Sequence, residues 1–533
     1  MDLLDRSIEL GLHLTKNPKI FGKTWEDFFY SASERKIIFY GITDNLEFMW
    51  MRADKELKII AAVDNDPSKQ GLKLKDFFDE SDLKEAKNII ISSKESLKNY
   101  QSDEVVILIS SLKSYEEIAG ELENSGFENY FSIINLEYNY RESMRKKNIP
   151  LITRDEFKHN YAKKIVAENP VQNNKIIFYG HGCYSDHEKY ITEQLLKTNK
   201  NLDIVWLMTR KSNDVPKEVR VIYKVNWKQY VYELETAKMW IFNGLVPEYM
   251  IKREDQIYIQ TKHWGSITLK KFYLDAPSIT NVSDNKKYYE TNGKWIDYII
   301  TGSEIDEQSV RRGYGFNGKC LRFGSARTDA MFHQEEIKSK VYRYFNLDND
   351  EKILIYAPTY RFAQGKGTNF DLGWQDLNFD LLLKTLKKKF GGKWKIFLRL
   401  HPIIRNKSIK IQRPEYVIEV SNYEDSEELA AAADIMISDY SSIMFEPAYV
   451  LKPIFLYAPD KSTFEKNDYE LLIDYDSLPF PIAVTNEELA IQIKNFDEIT
   501  YKENVKNFLD QYGVQEDGHA SERIVKFILE IYP

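Results

Sequence analysis

The chain reads K-I-F-L-R-L-H-P from Lys395 to Pro402 and D-I-M-I-S-D-Y-S-S-I-M-F-E-P from Asp434 to Pro447. Each is an apolar run that stops abruptly at polar groups suited to holding phosphate. In the first, Ile396, Leu398 and Leu400 alternate with Phe397 and Arg399 before the break at His401-Pro402, as a buried strand does on leaving a sheet. That puts His401 at a strand's carboxyl end, where open α/β sheets bind ligands. The second run, Ile435 to Ile437, ends in Ser438-Asp439-Tyr440-Ser441-Ser442. Serines there present hydroxyls and backbone N–H groups to an anion at a helix start. With Ser442 as N-cap, Pro447 falls just beyond the first turn, so that helix start is expected to be short or kinked. Alone, each run is also read as an ordinary capped turn; together in one α/β unit they point to a nucleotide diphosphate ligand.

Working outward, the same unit opens near Lys352 with KILIYAPTYR and continues through YVIEV and PIFLYAP. Amphipathic helices are predicted between the strands, at Phe379–Phe390 and Ser426–Ala433. A preceding α/β unit begins with KIIFYGHGCYSDHEKY (Lys175 to Tyr190), where Gly180 and Gly182 flank His181 at a strand end. Its further strands are DIVWLM, KMWIFNG, QIYIQT and DYIITG. The first unit contains KIIFYG from Lys36, KIIAAVDNDP, NIIISS and EVVILISS, with a helix predicted at Tyr115–Asn124. Its first turn, Gly41 to Asn45, lacks the glycine spacing for close approach to a pyrophosphate. Asp64 either meets a ribose or simply closes a turn, and a scaffold or docking role is the expectation for this unit. The charged stretch Asn139 to Pro150 reads as a linker. The expected architecture is α/β: a GT-B fold of two Rossmann-like domains facing a cleft (150–335 on the acceptor side, 336–533 on the donor side), preceded by a Rossmann-like accessory domain (1–145).

The 533 residues exceed one ordinary core, and 43% hydrophobic with 14% aromatic content is globular. A net charge of −8 gives no electrostatic case for general nucleic-acid binding, so an anionic ligand must be met locally. Two cysteines, Cys183 and Cys320, make neither a disulfide framework nor a zinc quartet, which favours a reducing cytoplasm. The acidic start MDLLDRSIELGLHL is unlike a signal peptide, and no segment reaches transmembrane length.

In QTKHWGSITLKKF, Gln260 to Phe272, His263 stands at a strand end with Lys262, Lys270 and Lys271 nearby. A histidine titrating near neutrality can take a proton from an alcohol, and the lysines could draw in a phosphorylated substrate. The bland alternative is a capped strand end with solvated lysines.

At this point four segments fall in order: QTKHWGSITLKK, YAPTYR (Tyr356 to Arg361), LRLHP (Leu398 to Pro402) and SDYSSIMFEP (Ser438 to Pro447). With them the last two thirds of the chain resembles the CDP-glycerol glycerophosphotransferase family, the teichoic-acid and capsule polymerases that move polyol phosphate from a CDP-activated donor. FGSARTD (Phe323 to Asp329) and EDGHASER (Glu516 to Arg523) look like two further family elements. The chain departs from the family pattern at the histidine. Tryptophan-histidine-glycine is usual there, followed by threonine, proline, leucine and lysine. Here Lys262 precedes His263, Trp264 stands before Gly265, and Ser266-Ile267-Thr268 lengthens the loop. Glu446 stands where an aspartate is common.

The resemblance implies displacement at phosphorus. His263, as base, deprotonates an acceptor hydroxyl, which attacks the polyol-side phosphorus and expels CMP. His401 holds the diphosphate with Arg399, Asp439, Ser441 and Ser442, and Thr359 and Arg361 contact phosphate in the same cleft. Gly265 and Glu446 belong to the substrate site. Arg327 is a further binding candidate, although a loop arginine is more often solvated or salt-bridged. Such a mixture is chemically adequate for phosphoryl transfer. No cofactor or metal ligand set is identified, and magnesium dependence stays open. The resemblance further implies a glycan or lipid-linked acceptor and peripheral attachment at the cytoplasmic face of the membrane. Two other readings remain: a GT-B glycosyltransferase using a CMP-activated sugar, which HP and paired-serine motifs would also serve, and a non-catalytic nucleotide- or polymer-binding assembly protein.

Overall fold

Apolar runs of four to six residues that end at Gly, Asn, Asp or Ser form strands buried on both faces, the condition for parallel sheets covered by helices. In the computed structural model, which describes residues 14, 18–53, 57–78, 80–111, 114–198, 201–212, 214–276, 282–359, 377–400, 414–462, 464 and 470–532, every described strand ladder is parallel.

Three sheets result. The first contains β1 (Lys36–Tyr40), β2 (Ile59–Val63), β3 (Ile91–Ser92), β4 (Val105–Ile109) and β5 (Tyr130–Ser132), in the order β3-β2-β1-β4-β5. The second contains β6 (Gln172–Tyr179), β7 (Asp203–Met208), β8 (Arg220–Tyr223), β9 (Ala237–Phe242), β10 (Ile257–Gln260), β11 (Tyr298–Thr301) and β12 (Lys319–Arg322), ordered β12-β11-β10-β9-β6-β7-β8. The third contains β13 (Glu351–Ala357), β14 (Lys393–Leu398), β15 (Val417–Glu419), β16 (Ile435–Ser438), β17 (Ile454–Tyr457) and β18 (Ile482–Ala483), ordered β15-β14-β13-β16-β17-β18. Each sheet starts in its middle, winds one way for three strands and then returns to the other side of its first strand. A doubly wound sheet of this kind has a crevice at the switch point, beyond the carboxyl ends of the two strands flanking the reversal. The predicted helix Phe379–Phe390 is observed with those bounds, and the other forms over Ser426–Ala432. The short strands β5, β8, β12 and β18 have no counterpart in the sequence reading, because two to four residues carry too little periodicity to register.

By contact density the chain divides into Met1–Ile177, Leu202–Lys238 and Pro247–Gln256 as one unit and Phe178–Asn201, Met239–Val246 and Ile257–Pro533 as the other. In the first unit the switch point of sheet one is closed by its own side chains. Thr43 Oγ1 donates to Ser110 Oγ at 2.9 Å, Asn45 Nδ2 to the Ser110 carbonyl at 2.7 Å, and the Ile42 N–H to Asp64 Oδ2 at 2.7 Å. Asp64 also receives Lys69 Nζ at 3.0 Å, so this carboxylate ties a turn and is not presented to a ribose. The expected linker from Asn139 is instead largely helix, Ile133–Lys146. Its polar sequence conceals an ionic inner face, where buried Glu137 accepts from Arg52 at 2.7 Å, Arg141 at 3.0 Å and Trp25 Nε1 at 3.3 Å.

In the second unit, Ile353–Tyr356, Ile396–Leu398, Ile435–Ile437 and Ile454–Tyr457 form the floor of one large apolar core. The carboxyl ends of β13 and β16 are thereby fixed side by side at the third sheet's switch point. Among the described residues, no helix is long and apolar enough to cross a membrane.

Candidate active site

Sheet two reverses between β6 and β9, so the residues just beyond Tyr179 and Phe242 face its crevice. They are His181 and Asn243. The His181 N–H donates to Asn243 Oδ1 at 3.2 Å, and Asn243 Nδ2 donates to Asp186 Oδ2 at 2.8 Å. Asp186 opens the helix Asp186–Leu196 and receives Arg327 Nη1 at 2.9 Å. The same Nη1 donates to the carbonyl of His263 at 3.0 Å. A chain of hydrogen bonds therefore runs from the backbone of His181 to that of His263.

His263 follows β10. Its ring is exposed and lies edge-on to His181, with centroids 5.0 Å apart. Burial by the surrounding chain, the His181 imidazole and the Arg327 and Lys262 cations push its pKa down to about 3, against the pull of Asp186. The lowered value leaves the imidazole neutral and able to accept a proton at pH 7.

The loop beneath it is held from below. Lys262, at φ +60°, is fully buried; its Nζ donates to the Gly265 carbonyl at 2.7 Å and lies 3.1 Å from Asp306 Oδ2. Trp264 Nε1 donates to Asp306 Oδ1 at 2.9 Å. Lys262 is thus an internal prop, contrary to the expectation that it draws in phosphate, and Lys271 is 3.3 Å from Glu470. Gly265 is a packing residue. A Cβ there would stand 3.0 Å from the Tyr449 hydroxyl and 3.3 Å from Thr328 Cγ2. Tyr449 Oη accepts the Ser266 N–H at 3.0 Å, so Gly265→Ala is expected to disturb that bond and cost about 1 kcal/mol. The check is a lowered melting temperature with donor KM unchanged.

Arg327 is neither solvated nor open to ligand. It is buried among three carboxylates: Asp186, Glu427, to which Nη2 donates, and Glu446, whose Oε1 is 3.0 Å from Nε. One guanidinium cannot keep three buried carboxylates ionised. Asp186 carries the charge: burial alone would raise its pKa, but Arg327 and the neighbouring histidines hold it down at about 2. Burial pushes Glu446 up to about 7 and Glu427 well up, Arg327 notwithstanding. Buried Lys189 next door joins Asp425 and donates to Glu428 Oε1 at 2.6 Å, which anchors the helix Asp186–Leu196 to Ser426–Ala432.

FGSARTD and EDGHASER meet. Asp329 accepts the N–H groups of Ala520 and Ser521 at 2.9 and 2.8 Å, capping the helix Ala520–Ile531. Glu516 receives Thr328 Oγ1 at 2.6 Å and the Ser266 hydroxyl, which ties the C-terminal segment to the histidine loop.

At the third sheet's switch point, Asp439 Oδ1 accepts the N–H groups of Thr359 at 2.8 Å and Tyr440 at 2.6 Å. Ser441 precedes a tight turn, Ser442–Met444, that leads into the four-residue helix Phe445–Ala448, the short start expected from Pro447. Ser442 Oγ lies 3.2 Å from Thr268 Oγ1 and accepts the Leu269 N–H at 3.3 Å, which joins the paired-serine motif to the loop after His263. Arg399 spends its Nη1 on the carbonyls of Tyr423 at 2.8 Å and Val420 at 3.3 Å, so it braces a turn. Arg361 and His401 lie outside the described residues. Among the described residues, no group of three or more His, Cys, Asp or Glu is arranged to hold a metal ion.

The structure therefore brings His263, Gly265, Arg327 and Glu446 into one cluster, sets Thr359 and Asp439 together in another, and links the two through Ser442. Sequence reasoning missed Asp186, Asn243 and Glu427, and did not place His181 beside His263. The available signal was G-H-G followed by an acidic residue after an apolar run, in GHGCYSDH.

Residues 161–530 match the family described as CDP-glycerol:poly(glycerophosphate) glycerophosphotransferase. Among similar proteins, the teichoic acid poly(glycerol phosphate) polymerase of Staphylococcus epidermidis is 29% identical over 72% of this chain, which spans 54% of that protein's length. The polymerase of the same description from Bacillus spizizenii is 26% identical over 69% of this chain and 94% of its own. The teichoic acid glycerol-phosphate transferase of Staphylococcus aureus is 26% identical over 69% and 95%. Of solved structures, the wall teichoic acid polymerase TagF soaked with CDPG superimposes with a TM-score of 0.62 at 28% identity, covering 73% of this chain and 97% of the other.

Proposed function

This chain belongs to the CDP-glycerol:poly(glycerophosphate) glycerophosphotransferase family, and from that premise we propose that it transfers glycerol phosphate from CDP-glycerol to a hydroxyl of a teichoic-acid-type acceptor, releasing CMP. The observation that carries this reading is His263: an exposed, neutral imidazole at a strand end, in a loop fastened by Arg327 and Lys262. Its ring nitrogen takes the acceptor hydroxyl's proton as the oxygen bonds to the glycerol-side phosphorus. The bond from that phosphorus to CMP breaks, and the electron pair leaves with CMP. Such a transfer depends mainly on positioning and charge stabilisation. The donor's diphosphate is assigned to the third sheet's switch point, at Thr359, Ser441 and Ser442 with Asp439 ordering the turn, and to His401 and Arg361. Arg327, Glu446, Gly265 and Arg399 support this site from behind.

The family supplies the donor and acceptor class. We place the reaction at the cytoplasmic face of the membrane, where a lipid-linked acceptor would be met. The three-domain division at 1–145, 150–335 and 336–533 is part of the same reading, with one sheet in each part and the first serving as scaffold.

The test is CMP release by purified protein given CDP-glycerol, CDP-ribitol or CMP-sialic acid, with and without a primer ending in glycerol phosphate. Primer-dependent CMP from CDP-glycerol is the expected result. CMP from the sugar donor alone overturns it in favour of a glycosyltransferase.

A further inference from the structure

The mechanism above uses one imidazole of the crevice of sheet two, yet that crevice presents a pair. Both rings are exposed, they stand edge-on with centroids 5.0 Å apart, and among the described residues neither makes a hydrogen bond or ion pair with the protein. Their spacing is tightly specified. His181 sits at the switch point, where such sheets take ligands. Its N–H is held by Asn243, Asn243 by Asp186, Asp186 by Arg327, and Arg327 by the His263 carbonyl. Two non-glycine residues on this path, His181 at φ +45° and Asp186 at +66°, and Lys262 just before His263 at +60°, adopt the left-handed conformation that L-residues avoid. Strain of this kind persists only where the surroundings over-determine it, and it collects where geometry matters to function.

We propose that the pair reads a vicinal diol at the acceptor's end, His263 taking the proton of the attacking hydroxyl while His181 hydrogen-bonds the hydroxyl on the neighbouring carbon. This rests on the transferase reading of the preceding subsection. Neighbouring hydroxyls lie about a hydrogen-bond length apart, so each reaches its own ring in an edge-on pair. A neutral imidazole carries one donor and one acceptor nitrogen, which suits a hydroxyl. A phosphate would instead call for a protonated ring. The groups facing the pair oppose that: burial and Arg327 disfavour a proton on either ring, the His181 ring and Lys262 disfavour it further on His263, and Asp186 alone favours it. A neutral oxygen ligand is therefore the better match. His181 thereby sets acceptor specificity.

The test compares two primers, one ending in glycerol phosphate and one in its 2-deoxy counterpart, propane-1,3-diol phosphate, which keeps the attacking hydroxyl and loses its neighbour. The wild type should prefer the diol primer by about tenfold in kcat/KM, the effect of one hydrogen bond. His181→Ala should abolish that preference by raising KM for the diol primer about tenfold, with a much smaller change in kcat/KM for the deoxy primer. His181→Gln should restore part of it. Equal rates on both primers in the wild type, or equal losses on both in His181→Ala, overturn the proposal and leave the transferase reading intact. A wild type that releases no CMP from CDP-glycerol with either primer overturns both.

Discussion

His263→Ala is expected to lower kcat/KM for CMP release from CDP-glycerol by about 10²–10⁴-fold, the usual contribution of a positioned general base. Its ring is exposed and makes no hydrogen bond or ion pair with the protein among the described residues, and Arg327 grips the His263 carbonyl, which the substitution leaves in place. The melting temperature should therefore stay near that of the wild type. A loss of activity accompanied by unfolding would count against the assignment, and so would full activity. The pH profile gives a second check. With its pKa pushed below the ordinary histidine value of about 6.5, the ring stays unprotonated as pH falls through 6.5, so the acid limb of kcat/KM that depends on His263 lies below that value. Buried His187, lowered to about 3 chiefly by burial, affects stability in the corresponding way. Between about 3 and 6.5 the unfolded chain binds its proton more readily than the folded one, so stability rises with pH across that window and is complete above it.

Arg327→Met is expected to destabilise the protein by about 3–5 kcal/mol, the typical loss on removing one partner of a buried ion pair. Asp186, Glu427 and Glu446 would then share a buried space with no guanidinium between them, and His263 would lose its carbonyl anchor. Arg327→Lys should rescue little of this, because a single ammonium cannot reach three carboxylates and a carbonyl as a planar fork does. The sign of the pH response follows from the same crowd. In the variant all three carboxylates fold best protonated, so the stability difference from wild type should be larger at pH 8 than at pH 5. Urea unfolding at the two pH values measures it. A variant that unfolds with the wild type at both would show that the cluster is not held by this arginine. Adding Glu446→Gln to Arg327→Met should recover part of the stability at pH 8.

Local chemistry made much of the fold legible. The helix Phe379–Phe390 announced both its ends, with an asparagine N-cap and two glycines after its last turn, and the strands around KIFLRLHP and DIMISD were given by unbroken apolar runs. The helix Ile133–Lys146 was misread because its inner face is ionic. Glu137 looks like a solvated charge until Arg52, 85 residues away, is placed against it. His263 was legible as a histidine ending an apolar run. Arg327, Gly265 and Glu446 were legible as site candidates, but not their contacts: Arg327 bonds the His263 carbonyl, Glu446 faces Arg327, and Gly265 packs on Tyr449.

By itself, then, the sequence pointed to three Rossmann-like units, to the ends of their longer strands, and to a strand-end histidine as the candidate base, since strand, turn and cap preferences act over a few neighbouring residues. Only the tertiary structure decided that Arg327 is locked between Asp186, 141 positions before it, and Glu427, 100 after it, and that His181 stands beside His263. The reason is physical. A buried charge is tolerable only beside its partners, and which side chains become partners is fixed by how the sheets and helices pack, a relation that no local stretch of residues contains.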